Sequence, residues 1–383
     1  MKQLTTLSRE ELRSRIVTSL EDQGFTIQNN QIVVNDALSK ETIRQLHKIA
    51  VEHKIEEARR NLARYEPWLI QRIANGVDVR PEEIVPKLVE VKPDTEDELL
   101  FRYARLHWSI PVSSGYGRRL RFLVMDESNS KLIGVLGLSD PIFRLRGRDQ
   151  WVGWAADQIA DKLHYVMDAF VLGAVPPYSQ LLCGKLIAMI ATSDEVRQAF
   201  QRRYSQRTSI IRAREIEGEL ALLTTTSALG RSSLYNRLAY EGRSLFEHCG
   251  YTLGSGEFHF SNGLYSAISD FVQVYCTPTA KQDQWGKGFR NRREVIRKCL
   301  KELNLPRDLL YHGVRREIFA VPLAKNTREF LRGEEPALRP FCQSVQELFL
   351  WFRDRWLLPR ADRNSSFRAF QNSSYALWAE TGG

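Results

Sequence analysis

Leu120-Arg121-Phe122-Leu123-Val124-Met125 and Lys131-Leu132-Ile133-Gly134-Val135-Leu136-Gly137 are two β-rich runs joined by the polar stretch Asp126 to Ser130. Apolar, branched segments of this length on either side of an Asp/Ser/Asn turn predict an antiparallel hairpin. Downstream, the pattern predicts a strand near 166–174, a helix near 179–192 and a strand near 220–226. It then predicts a helix near 233–248 that stops at Gly250, with a strand beginning at Tyr251. Upstream, Thr95 and Glu98 cap a helix carrying Leu99, Leu100, Tyr103 and Leu106. Before it, Leu88 to Val91 reads as a first strand within a connector punctuated by Pro81, Pro86 and Pro93. Helix, hairpin, then β-α-β-α-β is the order of a mixed α/β (α+β) sheet core.

Both ends read as helical additions to that core. Ser8 with Glu11 forms a capping box, and Leu12, Ile16 and Leu20 recur every four residues until Gly24. Phe25 to Ile27 and Ile32 to Val34 flank Asn29-Asn30 as a short hairpin, and a charged helix follows from about Lys40. A winged-helix-like module and a helical cap on the main domain both fit this order. Beyond about 265 helices dominate again, ending in an apolar stripe of Val345, Leu348, Phe349, Phe352 and Trp356 behind the Ser344/Glu347 capping box. The expected organisation is a helical unit over 1–86, the sheet core over 87–275, a mainly helical region over 276–378 and a flexible end over 379–383.

Composition excludes several classes. With 43% hydrophobic and 26% charged residues among 383, the chain reads as folded rather than disordered. No apolar run approaches the roughly 20 residues of a membrane span, and no apolar leader follows Lys2, so a cytoplasmic protein is expected. Five scattered cysteines without a CxxC pair argue against zinc and disulfides and for small buried thiols. No metal site is expected. The net charge of +9 and the local clustering of arginine beside aromatic residues point to a polyanion.

Arg118, Arg119 and Arg121 open the hairpin behind Gly115-Tyr116-Gly117. Arg144, Arg146 and Arg148 alternate, so on an extended segment they share one face, beside Trp151 and Trp154. Arg290, Arg293, Arg297 and Lys301 form a basic stripe on a helix predicted over 290–302. A further basic cluster gathers Arg202, Arg203, Arg207, Arg212 and Arg214 around Tyr204. These rows could track phosphates while nearby rings stack on bases; Asp140, Asp149 and Asp157 are the alternative partners for the arginines. For catalysis the candidates are Asp140, Asp149, Glu257 and His259. Strand alternation would set Glu257 and His259 on one side as an acid/base pair or a structural one. His164 and Asp168 are set aside, because their i, i+4 spacing falls on a predicted strand. No Walker A loop, HExxH, GxSxG or Rossmann fingerprint is present, so no cofactor is evident.

Four segments carry a resemblance: residues 108–124 (WSIPVSSGYGRRLRFLV), 134–141 (GVLGLSDP), 148–154 (RDQWVGW) and 250–256 (GYTLGSG). In order and spacing they resemble the Druantia protein A family of bacterial anti-phage defence components, over about residues 8–335. The resemblance implies membership of a multi-gene operon whose signature member is a large helicase-like protein, and it implies no settled chemistry. More distantly, the core order is similar to the GNAT acetyltransferase fold. That resemblance would make 170–177 the strand before the pyrophosphate turn, and 245–251 the last helix entering its following strand. Cys183 and Lys185 stand at the two glycine positions of that turn, so acetyl-CoA binding is not expected. The leading expectation is a nucleic-acid-binding protein, with DNA ahead of RNA, working with other proteins of its operon. An acyltransferase-like or carboxylate-dependent nuclease activity, and an assembly scaffold or homo-oligomer, are the alternatives.

Overall fold

A computed structural model of the chain describes residues 7–28, 31–33, 38–205, 218–278, 285 and 289–378, without the side chains of 289 and 290. Positions 29–30, 34, 207, 212, 214 and 379–383, named above, lie outside the described residues. The chain begins with α1 (Arg9–Asp22), the short pair β1 (Thr26–Gln28) and β2 (Gln31–Val33), α2 (Lys40–Leu62) and α3 (Glu66–Gln71). The Ser8/Glu11 capping box forms as its residues dictate, and Leu12, Ile16 and Leu20 are buried. Next come β3 (Pro86–Glu90), α4 (Glu96–Ala104), β4 (Arg119–Asp126) and β5 (Lys131–Ser139). The predicted hairpin is present, with Leu120 opposite Leu138 and Phe122 opposite Leu136. Leu132 to Leu138 is buried throughout rather than alternating, which is the pattern of a strand covered on both faces.

After β5 follow α5 (Arg146–Val152), α6 (Ala156–Lys162), β6 (Val166–Ala174), α7 (Cys183–Ile190), α8 (Asp194–Tyr204) and β7 (Leu222–Thr226). The remainder comprises β8 (Ala239–Tyr240), β9 (Arg243–Ser244), β10 (Glu247–Tyr251), α9 (Leu264–Tyr275), α10 (Phe289–Glu302) and β11 (Glu317–Pro322). It closes with α11 (Thr327–Arg332), α12 (Val345–Phe352) and α13 (Leu358–Arg363). Seven strands form one sheet in the order β10-β11-β7-β6-β5-β4-β3. Its neighbours run antiparallel except β6 and β7, which are parallel and joined through α7 and α8. The fold class is therefore mixed α/β, as expected.

Three expectations fail for physical reasons. The helix predicted near 233–248 is a short turn, the β8–β9 ribbon and β10. Leu234, Leu238, Leu245 and Phe246 mimic helical spacing, but Glu241 and Gly242 take φ of 49° and 80°, a reversal no helix admits. A strand appears where helices were expected to dominate: β11 lies between β10 and β7, with every residue buried. Finally, Arg144, Arg146 and Arg148 do not share an extended face, because α5 starts at Arg146. The Asp149 carboxylate accepts from the Leu145 N–H at 3.1 Å and helps start that helix.

The apolar packing ties the ends of the chain together. Leu12, Ile16, Ile43 and Leu46 share one cluster with Phe271, Val295, Ile296 and Cys299. Val345, Leu348, Phe349 and Phe352 are buried in the cluster that holds α7 against the sheet. The C-terminal stripe is thus core, with Trp356 packed at its edge. Cys183 and Cys299 are buried as expected of small apolar groups, whereas Cys342 is exposed.

Candidate nucleic-acid interface

The six arginines around the hairpin divide into an inward and an outward set. Arg118 is held by Asp140 (Nε to Oδ1 2.6 Å) and donates to the carbonyls of His164 and Val166. Arg121 pairs with Glu98 at 2.7 Å. Arg148 is fully buried: it chelates Asp149 through Nε and Nη2, donates to the carbonyls of Ile142 and Phe143, and lies over Trp154. Burial pulls its pKa down, and Asp149 opposes the shift. These three arginines and the carboxylates Asp140 and Asp149 thus bond to one another and to nearby backbone.

Arg119, Arg144 and Arg146 point outward, and among the described residues none forms an ion pair. The Tyr204 hydroxyl clamps Arg119 by accepting from its N–H at 2.8 Å and donating to its carbonyl at 2.9 Å. Beside these cations sit three exposed apolar side chains, Tyr116 (46% exposed), Ile142 (48%) and Phe143 (44%). Two loops carry them, and the loops are bonded together: Asp140 N–H donates to the Tyr116 and Arg118 carbonyls, while Asp140 Oδ2 accepts from Arg118 N–H. Gly117, at φ +62°, allows that approach; a Cβ there would stand 2.0 Å from the Asp140 carboxylate. The result is an aromatic and basic edge on a rigid support.

The helix predicted over 290–302 forms as α10, with Val295, Ile296, Cys299 and Leu303 on the buried side. Arg293 is half-buried and Lys301 exposed, whereas Arg297 is held bidentate by Glu294; the Arg290 side chain lies outside the described residues. The residue the sequence reading missed is Arg292, which turns inward to Glu257 (3.3 Å), Ser261 (2.9 Å) and the ring of Tyr265. Glu257 and His259 do not act as a strand pair, because 258–260 is a 3-10 turn. Instead His259 Nε2 donates to the Leu309 carbonyl at 2.8 Å. Burial pushes Glu257 up to about 7, against the pull of Arg292 and Arg293, and its Oε1 has no partner.

Asp168, set aside on sequence, is the better-placed carboxylate. It lies on β6 in register with Ser139 and Thr224, and Thr224 Oγ1 donates to it at 2.8 Å. Loss of solvation pushes it up to about 6, opposed by Thr224 and Arg148. A lone carboxylate within the apolar run Val166–Ala174 was the signal. At the turn before α7, Cys183 is buried, Lys185 Nζ sits over the Trp356 ring, and Arg360 Nε donates to the Gln180 carbonyl. Trp356 and Arg360 thus pack the C-terminal helices against this turn. Among the described residues no group of three or more His, Cys, Asp or Glu is set to hold a metal, and no helix is long and apolar enough to cross a membrane.

Tyr116 and Arg119 of the outward edge fall in a segment quoted for the family resemblance, and the family profile described as Druantia protein DruA matches residues 37–333. The chain belongs to the Druantia protein DruA family. It is similar to Druantia protein DruA of Escherichia coli (strain UMEA 4076-1), with 36% identity over 367 residues, 95% of this chain and 91% of the relative. DruA membership makes it an anti-phage Druantia component. No solved structure matches.

Proposed function

We propose that this DruA-family chain serves Druantia defence as a cytosolic nucleic-acid-binding component that works beside other operon proteins, a helicase among them. One observation carries the reading: exposed Tyr116, Ile142 and Phe143 stand among Arg119, Arg144 and Arg146, which form no ion pair among the described residues. Rings offer stacking surface to any base, and unpaired guanidiniums offer bidentate contacts to phosphates. DNA is the favoured polymer. Fluorescence anisotropy with single- and double-stranded DNA and RNA across a salt series is the test. Affinity is expected to fall steeply with salt, and the Arg144→Glu/Arg146→Glu pair to weaken binding by about tenfold or more. Thermal stability should hardly change, because both side chains are exposed. Binding that is indifferent to salt defeats the reading.

A second reading, catalysis on a GNAT-like core, has Asp168 in its favour. A carboxylate poised near neutrality on the seam between the parallel strands β6 and β7 suits a general base. On this reading Asp168→Asn abolishes acyl-transfer or nuclease turnover and leaves nucleic-acid affinity intact. Turnover that survives the substitution removes Asp168 from the account.

A further inference from the structure

The segment between α4 and β4 packs on α2 around two cations, Lys54 on α2 and Arg105 at the segment's own start. Lys54 Nζ donates to the Val112 carbonyl at 3.0 Å, and Arg105 Nη1 to the Ser113 carbonyl at 3.3 Å. Between them lies a small cleft of about 30 Å³, walled by Trp108, Ile110 and Pro111. Trp108 packs on β6 at Gly173, where an added Cβ would stand 2.7 Å from the indole. Its ring position is thereby fixed by the sheet.

The two cations are not neutralised. Among the described residues neither Lys54 nor Arg105 forms an ion pair. The carboxylates that act on them are engaged elsewhere, Glu57 with His53 and Glu98 with Arg121. Further positive charge crowds in. Arg121, Arg102 and Arg119 bear on Arg105, and Arg105 and Arg292 bear on Lys54. Burial first, and this crowding second, hold Lys54 below the usual lysine range and Arg105 at about 10. Two half-buried like charges that donate to neutral carbonyls and share their nearest carboxylates with other cations favour an anion beside them.

We infer that the Lys54–Arg105 crevice is a phosphate-binding site that anchors one backbone phosphate of a single-stranded nucleic acid. The inference rests on the nucleic-acid reading above and assigns it a strand form. The strand form follows from Trp108, whose half-buried ring beside the two cations offers a stacking face to an unpaired base and none to a base inside a duplex. Arg119, the exposed-edge cation at the start of β4, also bears electrostatically on Arg105.

Lys54→Gln and Arg105→Gln are each expected to weaken single-strand binding about tenfold and to lower the salt slope by about 0.7. Duplex affinity should hold, as should that of Arg80→Gln, an exposed cation paired with Glu83. Loss no greater than in Arg80→Gln overturns the site. A measurement on the unaltered chain guards against misfolded variants. Amine labelling of Lys54, read by mass spectrometry, should be blocked by inorganic pyrophosphate or oligo-dT and not by sodium chloride of equal ionic strength; absence of protection also overturns it. An unaltered chain that binds no oligonucleotide defeats the functional reading and the single strand with it. Oligonucleotide binding that ignores both substitutions defeats the crevice alone.

Discussion

Replacing Arg148 with alanine is expected to reduce the free energy of unfolding by about 3–5 kcal/mol, the loss typical of breaking a buried ion pair from one side. The Arg148 side chain is completely buried and serves three acceptors at once, the Asp149 carboxylate and the carbonyls of Ile142 and Phe143. Its removal strands a carboxylate that is only 13% exposed and leaves two carbonyls without their donor. Arg146 is two residues away and exposed, so Arg146→Ala should stay within about 0.5 kcal/mol of the parent. Urea unfolding of the two variants makes the comparison. Equal stability would show that the buried bonds carry nothing. Nucleic-acid affinity should fall in Arg148→Ala as well, although this residue faces no ligand, because it holds the loop that presents Phe143 and Arg144.

That contrast shows why the sequence reached the fold class and not the exposure of each side chain. The hairpin of β4 and β5, the start of α1 and the start of α12 are local events, set by runs, turns and capping boxes within a few residues. Strand β11 has no such local frame. Glu317-Ile318-Phe319-Ala320-Val321-Pro322 becomes central only because β7 and β10 arrive on either side, and its buried Glu317 is satisfied from afar by Ser232 and Asn236. The alternation of Arg144, Arg146 and Arg148 likewise gives a shared face only on an extended backbone, and the Asp149 carboxylate had already chosen a helix.

The candidate site follows the same division. The basic and aromatic composition of 108–124 and 141–148 was legible, but not which of its arginines face outward: Arg119, Arg144 and Arg146 do. Nothing local distinguished them from Arg118, Arg121 and Arg148, whose partners Asp140, Glu98 and Asp149 are fixed by tertiary contact or by a helix start. Lys54 and Arg105 escaped notice because they are 51 positions apart and meet only where α2 passes beneath residues 108–113. Arg292 was hidden by helical phase: it lies one residue from the expected stripe and turns towards Glu257.

Acidification from pH 7 to pH 5 should destabilise the chain steeply. Burial, first among the causes, depresses four histidines below the ordinary 6.5: His47 and His259 to about 4, His107 to about 3 and His312 to about 2. The chemistry at His47 shows why a proton is excluded. Its Nδ1–H donates to the Ile43 carbonyl at 2.7 Å and its Nε2 accepts from Arg316 Nη2 at 2.8 Å, so protonation would set two cations against each other. His259 and His312 lie 5.5 Å apart between ring centroids and oppose each other's charge. For groups whose folded pKa is lowered, the stabilisation is whole above the unfolded value near 6.5 and is lost as pH falls towards the folded value. Glu257 and Asp168, raised to about 7 and about 6, work in the other direction, since the folded chain takes up their protons first. Near pH 5 the unfolded chain therefore binds roughly two protons more than the folded one, a slope of about 3 kcal/mol per pH unit. His259→Gln should remove about one proton from that difference and flatten the slope by roughly 1 kcal/mol per unit, whatever it does to stability at pH 7. Denaturant unfolding at pH 7, 6 and 5 reads both slopes, and a parent chain equally stable at all three would mean that the buried histidines already carry protons in the fold.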